Sequence, residues 1–452
     1  MIASPPGPKR GFPGSAFLRF RRDPLAYLER MAREFGDISY VKLGREDIFL
    51  LNHPDLVRDV LVTNHRNFSK GRAFARTRVL LGEGLLTSEG DFHRRQRRMI
   101  QPAFHPQRIA AFAAAMTRNA ERTGARWRHG GRLEVVHEMR RLTLEIVGET
   151  LFGTDLTSDA SEVGTALADT MESLSAMMLL PLGKVLEKLP LPPVRRMNAC
   201  RNKLDKIVYR LINDRRGSKQ KHGDLLQMLL DSQDEEDRTA RMTDNQVRDE
   251  AMTIALAGQL TTASALSWTW YLLSQHREVE NQLHEEVDRV LNGRGAGLAD
   301  MGALKYTENI VRESLRLYPP AWMTARRALR DYQIASYVAP AKSIVIVSQY
   351  VMHRDPRYFP EPLHFCPERW TPEFKAALPK YAYFPFGGGP RGCIGEGFAW
   401  MEMVLILATL AQRWKLRLDP RQSVIPQPLV TLQPKHSLTM TVFQRREQTC
   451  SI

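Results

Sequence analysis

The chain has 452 residues, 43% of them apolar, enough for one large core or for those of two or three ordinary domains. Lys and Arg outnumber Asp and Glu by 65 to 50, a net charge of +15 spread along the sequence; this argues for a positive face that steers an acidic protein partner, and against nucleic acid. Cys200, Cys366, Cys393 and Cys450 lie far apart with no C-x-x-C pair, which argues against a disulfide framework and structural zinc and fits a reducing compartment.

In chain order, the Pro- and Gly-rich residues 1–15 hold no signal-peptide core, and no window reaches about eighteen uncharged apolar residues. A soluble, cytoplasmic chain without a membrane anchor is expected. Ile38 to Leu43 and Ile48 to Leu51 read as a hairpin turning at Gly44 to Asp47. His53-Pro54 then opens a short helix through Val62. In the basic cluster Phe92-His93-Arg94-Arg95-Gln96-Arg97-Arg98, His93 and Arg97 stand four apart and share a helix face; a solvated basic face is the plainer reading. Ile109 to Arg128, Leu133 to Phe152 and Thr165 to Leu180 follow helical periodicity. The last carries Met171, Met177 and Met178, either core packing or an adaptable apolar lining. Pro181, Pro190, Pro192 and Pro193 interrupt the chain before a basic helix from Val194 to Arg216. Asp231 to Asp237 reads as an exposed acidic loop.

Thr243 and Gln246 have capping-box spacing. The helix they open runs to about His276, on the order of 45–50 Å. At its middle stands Ala257-Gly258-Gln259-Leu260-Thr261-Thr262. A mid-helix Gly costs roughly 1 kcal/mol against Ala. The segment is therefore either a close helix–helix contact or a locally opened turn whose carbonyl and hydroxyl meet a ligand. Glu278 to Leu291 is amphipathic, and Gly293 to Gly297 is a loop. Tyr306 to Leu317 places Glu313 and Arg316 three apart on one face, and Pro319-Pro320 ends that helix. Ile334 to Val338 and Ser343 to Val347 read as strands. Leu429 to Leu432 and Ser437 to Phe443 read as a final hairpin around Pro434-Lys435.

The most informative stretch is Phe386-Gly387-Gly388-Gly389-Pro390-Arg391-Gly392-Cys393-Ile394-Gly395. It is a loop of small residues with Cys393 just before the helix Glu396 to Trp414. A helix N-terminus favours thiolate over thiol, and a loop without bulk lets a large flat group approach the backbone. A phosphate loop would need a following Gly-Lys-Ser/Thr, and a dinucleotide loop a third glycine where Trp400 stands.

The spacing F-x-x-G-x-R-x-C-x-G, on Phe386, Gly389, Arg391, Cys393 and Gly395, resembles the haem-binding loop of the cytochrome P-450 family. Further resemblances stand in the family's order across residues 5 to 445: the A-G-x-D/E-T element at Ala257 to Thr261, E-x-x-R at Glu313 and Arg316, and P-E-R-F at Pro367 to Trp370. The resemblance implies a mainly α fold with a smaller β part (α+β), a triangular helical body with a small β-rich lobe, forming one haem domain over residues 1–452. It implies non-covalent haem b with Cys393 as the axial iron ligand. Phe386, Arg391 and Gly395 would hold the cofactor with it. His93, where the family's W-x-x-x-R has Trp, and Arg97 would meet a propionate, as could Arg326. Other arginines of that cluster could face the redox partner. Glu313, Arg316 and Arg369 would form a structural triad, and His353-Arg354-Asp355-Pro356 a structural turn. Met177, Met178, Ala321, Thr324 and Leu432 would line the substrate pocket.

The implied reaction is insertion of one oxygen atom into a hydrophobic small molecule, by hydroxylation or epoxidation. Electrons from NAD(P)H would arrive through a separate ferredoxin or flavodoxin and its reductase, with the protein acting as a monomer. Thr261 would assist proton delivery beside Ala257 and Gly258. The chain departs from the family at Leu260, where an acidic residue is usual. Either water chains with Thr261 and Gln259 suffice, or peroxide replaces oxygen and electrons, or the site has been altered. A haem protein that binds or senses without oxidising is the reading from another class.

Overall fold

The computed structural model describes residues 5–9, 14–44, 46–153, 192–218, 222–234, 236 and 241–445. The chain forms two compact units, one of Met1–Arg72, Arg312–Cys393 and Pro426–Gln433, the other of Ala73–Val311, Ile394–Ile425 and Pro434–Ile452.

The first unit is built on a five-stranded sheet, with strands in the order Ile38–Leu43, Glu46–Leu51, Ile344–Val347, Thr324–Ala328 and Phe68–Ser69. Glu46–Leu51 and Ile344–Val347 pair in parallel and their neighbours antiparallel. Both strands of the parallel pair are apolar at successive residues, so each feeds two faces. Phe49, Leu51, Val345 and Val347 enter one core with Val57, Met352 and Phe384. Leu50 and Ile346 enter the other with Leu25, Leu28 and Met31. Those last three lie on the helix Pro24–Phe35, which Asp23 caps by accepting the Ala26 N–H at 3.0 Å and which ends at Gly36 with φ 76°.

The second unit is mainly helical. Its 32-residue helix Asp244–Gln275 begins at the expected capping box, Thr243 N–H donating to Gln246 and Gln246 N–H to Thr243 Oγ1. This helix is apolar nearly all round and correspondingly buried, with Leu266, Trp268 and Trp270 fully enclosed. Around it pack Val135–Phe152, Pro192–Gly217 and Glu396–Arg413.

Several expectations are corrected. The hairpin's second strand takes in Glu46 and Asp47, and Tyr40 donates its hydroxyl to Asp47 at 2.6 Å. Residues 109–128 do not form one helix: Pro106–Ala110 and Ala113–Ala125 meet at a tight turn where the Phe112 N–H bonds Ile109, and Phe112 is buried against Phe398. Leu133 belongs to the strand Arg132–Glu134. Ile334 to Val338 is not one strand; the chain reverses at Ala335, φ 52°, between Tyr332–Ile334 and Tyr337–Ala339. The final hairpin does not form. Leu432–Pro434 pairs with Pro426–Pro428, whereas Thr439–Gln444 pairs with Arg132–Glu134 and Trp414–Leu418. The acidic run is not simply exposed: Asp234 is buried between Arg95 and Arg98. The methionine-rich helix, with Met171, Met177 and Met178, lies outside the described residues.

Candidate functional site

The cysteine loop is held by its own backbone. Gly387 N–H donates to Phe384, Gly392 N–H to Gly389 and Cys393 N–H to Phe386, each at 2.9 Å. Gly389 needs to be glycine for two reasons. Its φ is +67°, and a Cβ there would stand 2.0 Å from the Leu61 carbonyl oxygen. A Cβ at Gly388 would come within 2.6 Å of the Tyr381 ring. So the loop is pressed against its own unit on one side. On the other, Cys393 is exposed, with Phe386 and Arg391 half-buried beside it in sequence. Three residues on, the helix Glu396–Arg413 begins, with Gly395 at its N-cap. The loop thus offers a soft thiol donor on a surface free of bulk.

The loop follows a meander that one carboxylate organises. Glu313 has no exposed surface and accepts from Arg316 Nε and Nη2 (2.8 Å each), Arg369 Nε (2.9 Å), the Cys366 N–H (3.1 Å) and Trp370 Nε1 (2.9 Å). The two guanidinium groups then fasten backbone carbonyls: Arg316 those of His353, Pro362 and His364, and Arg369 those of Pro360, Glu361 and His364. The triad read from the sequence is present. Trp370, standing where the family has Phe, adds an indole donor the carboxylate uses. His353 takes the Phe384 N–H on Nε2 at 2.9 Å; burial and the neighbouring Arg316 and Arg354 hold its imidazole well below the ordinary value, in the neutral form. That turn is structural, as expected.

In the second unit, the central segment of the long helix divides by face. Gln259 and Leu260 are buried, 3% and 8% exposed. Ile254, Ala257, Gly258 and Thr261, at i, i+3, i+4 and i+7, remain accessible where the helix from Glu250 to Trp270 is otherwise buried. The helix does not open here. It runs without a break through this segment, and Thr261 Oγ1 donates to the Ala257 carbonyl one turn back at 2.6 Å. Close packing contributes as well. A Cβ on Gly258 would sit 3.4 Å from Val147, and Thr143 Oγ1 donates to the Gln259 carbonyl at 3.0 Å. The result is an accessible stripe, two turns long, that runs from Ile254 over the small residues Ala257 and Gly258 to the Thr261 hydroxyl.

On the helix Gly90–Ile100, His93 is buried and Arg97 half-buried on the same face. Of the other arginines in that cluster, Arg94 pairs with Asp91, and Arg95 and Arg98 bind Asp234 and Glu236, so they are not idle donors. Arg326 is half-buried on the strand Thr324–Ala328, opposite Val345. Of the pocket residues, Ala321 is exposed and Thr324 accepts from Gln349 Nε2 at 3.1 Å. Leu432 is fully buried in the core with Trp322, its N–H on the Pro320 carbonyl at 2.9 Å. Met177 and Met178 lie outside the described residues.

Sequence reasoning missed Glu402. It has no exposed surface, and neither carboxyl oxygen has a hydrogen-bond partner. Burial pushes its carboxyl up to about 8, opposed only by the nearby Thr262 hydroxyl. The signal was legible, since Glu402 is the one acid within the apolar run Phe398 to Ala411.

The profile of the family described as Cytochrome P450 matches residues 5–440. The chain is 39% identical over 421 residues to "Cyclooctatin synthase" of Streptomyces melanosporofaciens, covering 93% of this chain and 91% of that protein. It is 38% identical over 400 residues to "Cyclooctat-9-en-7-ol 5-monooxygenase" of the same organism, covering 88% and 86%. It is 34% identical over 434 residues to "Pentalenene oxygenase" of Streptomyces avermitilis, covering 96% and 95%. Among the described residues no helix is long and apolar enough to cross a membrane.

Proposed function

The chain belongs to the cytochrome P450 family, whose cofactor is haem and whose oxidising members draw electrons from a redox partner, and it is an oxidoreductase of the monooxygenase type; on that premise we propose that Cys393 ligates the haem iron and that the protein inserts one oxygen atom into a hydrophobic terpenoid. The single observation that carries this reading is the exposed Cys393 on a loop where Gly388 and Gly389 leave no room for a side chain. Those residues suit a flat cofactor: a thiol donor, a bulk-free surface and a helix N-terminus close by.

When bound, haem b supplies the oxidative chemistry, and the protein supplies orientation, protons and exclusion of water. Phe386, Arg391 and Gly395 would support the cofactor at the loop. His93, Arg97 and Arg326 would be the donors for its propionates, since each can hydrogen-bond a carboxylate. The accessible stripe at Ala257, Gly258 and Thr261 would give oxygen a place without steric competition, with Thr261 as the nearest hydroxyl. The Glu313 network would fix the meander that carries the cysteine loop. Residues 1–452 would serve as one haem domain, acting as a monomer in the cytoplasm.

The substrate class rests on the relatives' names, which specify pentalenene and cyclooctat-9-en-7-ol, an alkene and an unsaturated alcohol by nomenclature. A ferredoxin or flavodoxin with its reductase would deliver electrons from NAD(P)H, and the net charge of +15 favours such acidic carriers. Leu260 favours a second reading, in which hydrogen peroxide replaces oxygen and electrons, because a buried leucine carries no proton.

Two measurements test this. The reduced, carbon-monoxide-treated protein should show the thiolate-type Soret band, and Cys393→Ser should lose it; an unchanged band in that variant would refute the ligand assignment. Pentalenene and cyclooctat-9-en-7-ol should each be offered with dioxygen, ferredoxin, reductase and NADPH, and separately with peroxide. A product heavier by one oxygen atom is expected in the first arm; product in the peroxide arm alone would favour the second reading.

A further inference from the structure

The direction of the Cys393 thiol is set by its loop, and the loop is set by what it leans on. Gly389 leans on a short helix of the same compact unit. That helix begins in α form at Pro54–Arg58 and continues through Asp59–Thr63 as a wider π-turn. Its mark is the Asn64 N–H, which donates to the Asp59 carbonyl five residues back at 2.8 Å. Such turns are rare, and they recur at functional sites.

Asp59 holds this one in place. Its Oδ1 accepts from Asn64 Nδ2 at 2.7 Å, across the wide turn itself, and its Oδ2 accepts from the Tyr332 hydroxyl. Tyr332 lies 273 residues later in the chain and is itself fixed, 8% exposed and edge-on to Phe68 with ring centroids 4.8 Å apart. Burial and the Asp59 carboxylate keep the Tyr332 phenol well above its ordinary value, so it remains a donor throughout the neutral range.

The π-turn reaches the cysteine loop in two ways. Val57, Val60 and Leu61 enter the same core as Tyr381 and Phe384, which lead into the loop. Leu61 also lies in the last turn of its helix, where carbonyls have no intrahelical donor. The neighbouring Val62 carbonyl is taken by the His65 ring N–H at 2.8 Å. The Leu61 oxygen instead faces the loop backbone, 2.0 Å from where a Cβ on Gly389 would stand, with Val62 Cα 3.3 Å from that point. The Gly389 carbonyl accepts the Gly392 N–H, and the Phe386 carbonyl accepts the Cys393 N–H. A shift of the π-turn is therefore passed directly to the backbone that carries Cys393.

We infer that Asp59 is a positioning residue for the iron ligand: held by Tyr332 and Asn64, it fixes a π-turn whose Leu61 carbonyl braces Gly389, and so sets the direction in which Cys393 presents its sulfur. The inference rests on the assignment of Cys393 as ligand proposed above. In this role Asp59 acts through the backbone and not by contact with the cofactor. Its reach matters because ligand constellations tolerate displacements of only about 0.5 Å.

The test uses the haem-loaded full chain and reads two quantities. The first is hydrogen exchange at the Gly392 and Cys393 amides, followed by mass spectrometry of fragments covering residues 386–395. Asp59→Ala removes both side-chain bonds at the π-turn, and exchange at these amides should quicken by about threefold to tenfold. Tyr332→Phe deletes one hydroxyl and should give a smaller rise in the same direction. Asp59→Asn keeps an oxygen acceptor and should return exchange toward the wild-type rate. The second quantity is the thiolate-type Soret band of the reduced, carbon-monoxide-treated protein, which should decay severalfold faster in mild urea for Asp59→Ala. A general loss of stability would act differently. Tyr40→Phe breaks a comparable bond in the same unit, from the Tyr40 hydroxyl to Asp47 at 2.6 Å. It should lower the urea midpoint and leave both loop readings unchanged. An Asp59→Ala protein with wild-type exchange at Gly392 and Cys393, or a Tyr40→Phe protein in which those amides quicken equally, would overturn the inference. If Asp59→Ala does not fold, Tyr332→Phe and Asp59→Asn decide by the same readings. If the wild type shows no thiolate-type band, the ligand assignment fails instead, while the exchange rates still decide whether Asp59 positions the loop.

Discussion

Glu313 and Glu402 are both wholly buried, one in each compact unit, and they are built in opposite ways. Glu313 accepts five hydrogen bonds, three of them from the guanidinium groups of Arg316 and Arg369. Glu402 accepts none, and burial drives its carboxyl up to about 8. Burial is thus the same for both, and the partners decide what each does. A carboxylate with two cations and ordered N–H donors becomes a fixed point for a meander. A carboxyl with neither keeps a proton near neutrality and can part with it. The first arrangement suits a scaffold, and the second suits chemistry.

The contrast can be broken most forcefully at Glu313. Glu313→Gln leaves two buried guanidinium groups without a counter-charge and should destabilise the protein by about 3–5 kcal/mol, read as a drop in the urea midpoint. A loss below about 1 kcal/mol would mean that the network is not what holds the meander.

Glu402→Gln should act in the other direction and with a pH signature. The folded protein binds this proton more tightly than the unfolded chain, whose ordinary value is 4.5. Below that pH both states are protonated, and the site costs nothing extra. As pH rises from 4.5 to about 8 the unfolded state alone ionises, so the wild type loses stability across that window and levels off above it. Relative to wild type the variant should therefore gain roughly 2–4 kcal/mol between pH 4.5 and 8. Denaturant titrations at pH 5 and pH 8 would measure it, and an equal difference at both would contradict the neutral-carboxyl assignment.

Smaller changes sharpen the comparison. Trp370→Phe removes one of five donors to Glu313 and should cost about 1 kcal/mol, visible as a modest fall in Tm. Gly258→Ala should stay within about 1 kcal/mol of wild type, because the propensity gained on a helix is offset by a Cβ contact of 3.4 Å to Val147.

Much of the first arrangement was legible in advance. Three-residue spacing put Glu313 and Arg316 on one face, and the later Pro-Glu-Arg-Trp element pointed to Arg369. The donors at Cys366 and Trp370 were not legible, because they return to Glu313 from more than fifty residues downstream. Of the second arrangement, the acid at 402 stood out against its apolar neighbours, but nothing in its own segment names Thr262 as the facing residue. The mistaken final hairpin has the same cause. Thr439–Gln444 prefers a partner some three hundred residues earlier to the adjacent strand, and only the assembled sheet offers that choice. The exposed acidic loop failed at Asp234 because Arg95 and Arg98, on a distant helix, draw it inward.

By itself the sequence determined what short-range physics controls: the Thr243 cap, the helical and alternating apolar periods, and the glycines that leave Cys393 on a surface without bulk. These depend on neighbours within a few residues, where propensity and steric exclusion act directly. Tertiary structure decided which buried polar groups find partners, because contacts between distant segments form only after the chain has met the entropy of closing long loops, and apolar packing, which is non-directional, chooses among them. That is why one enclosed glutamate is held by five donors and the other by none.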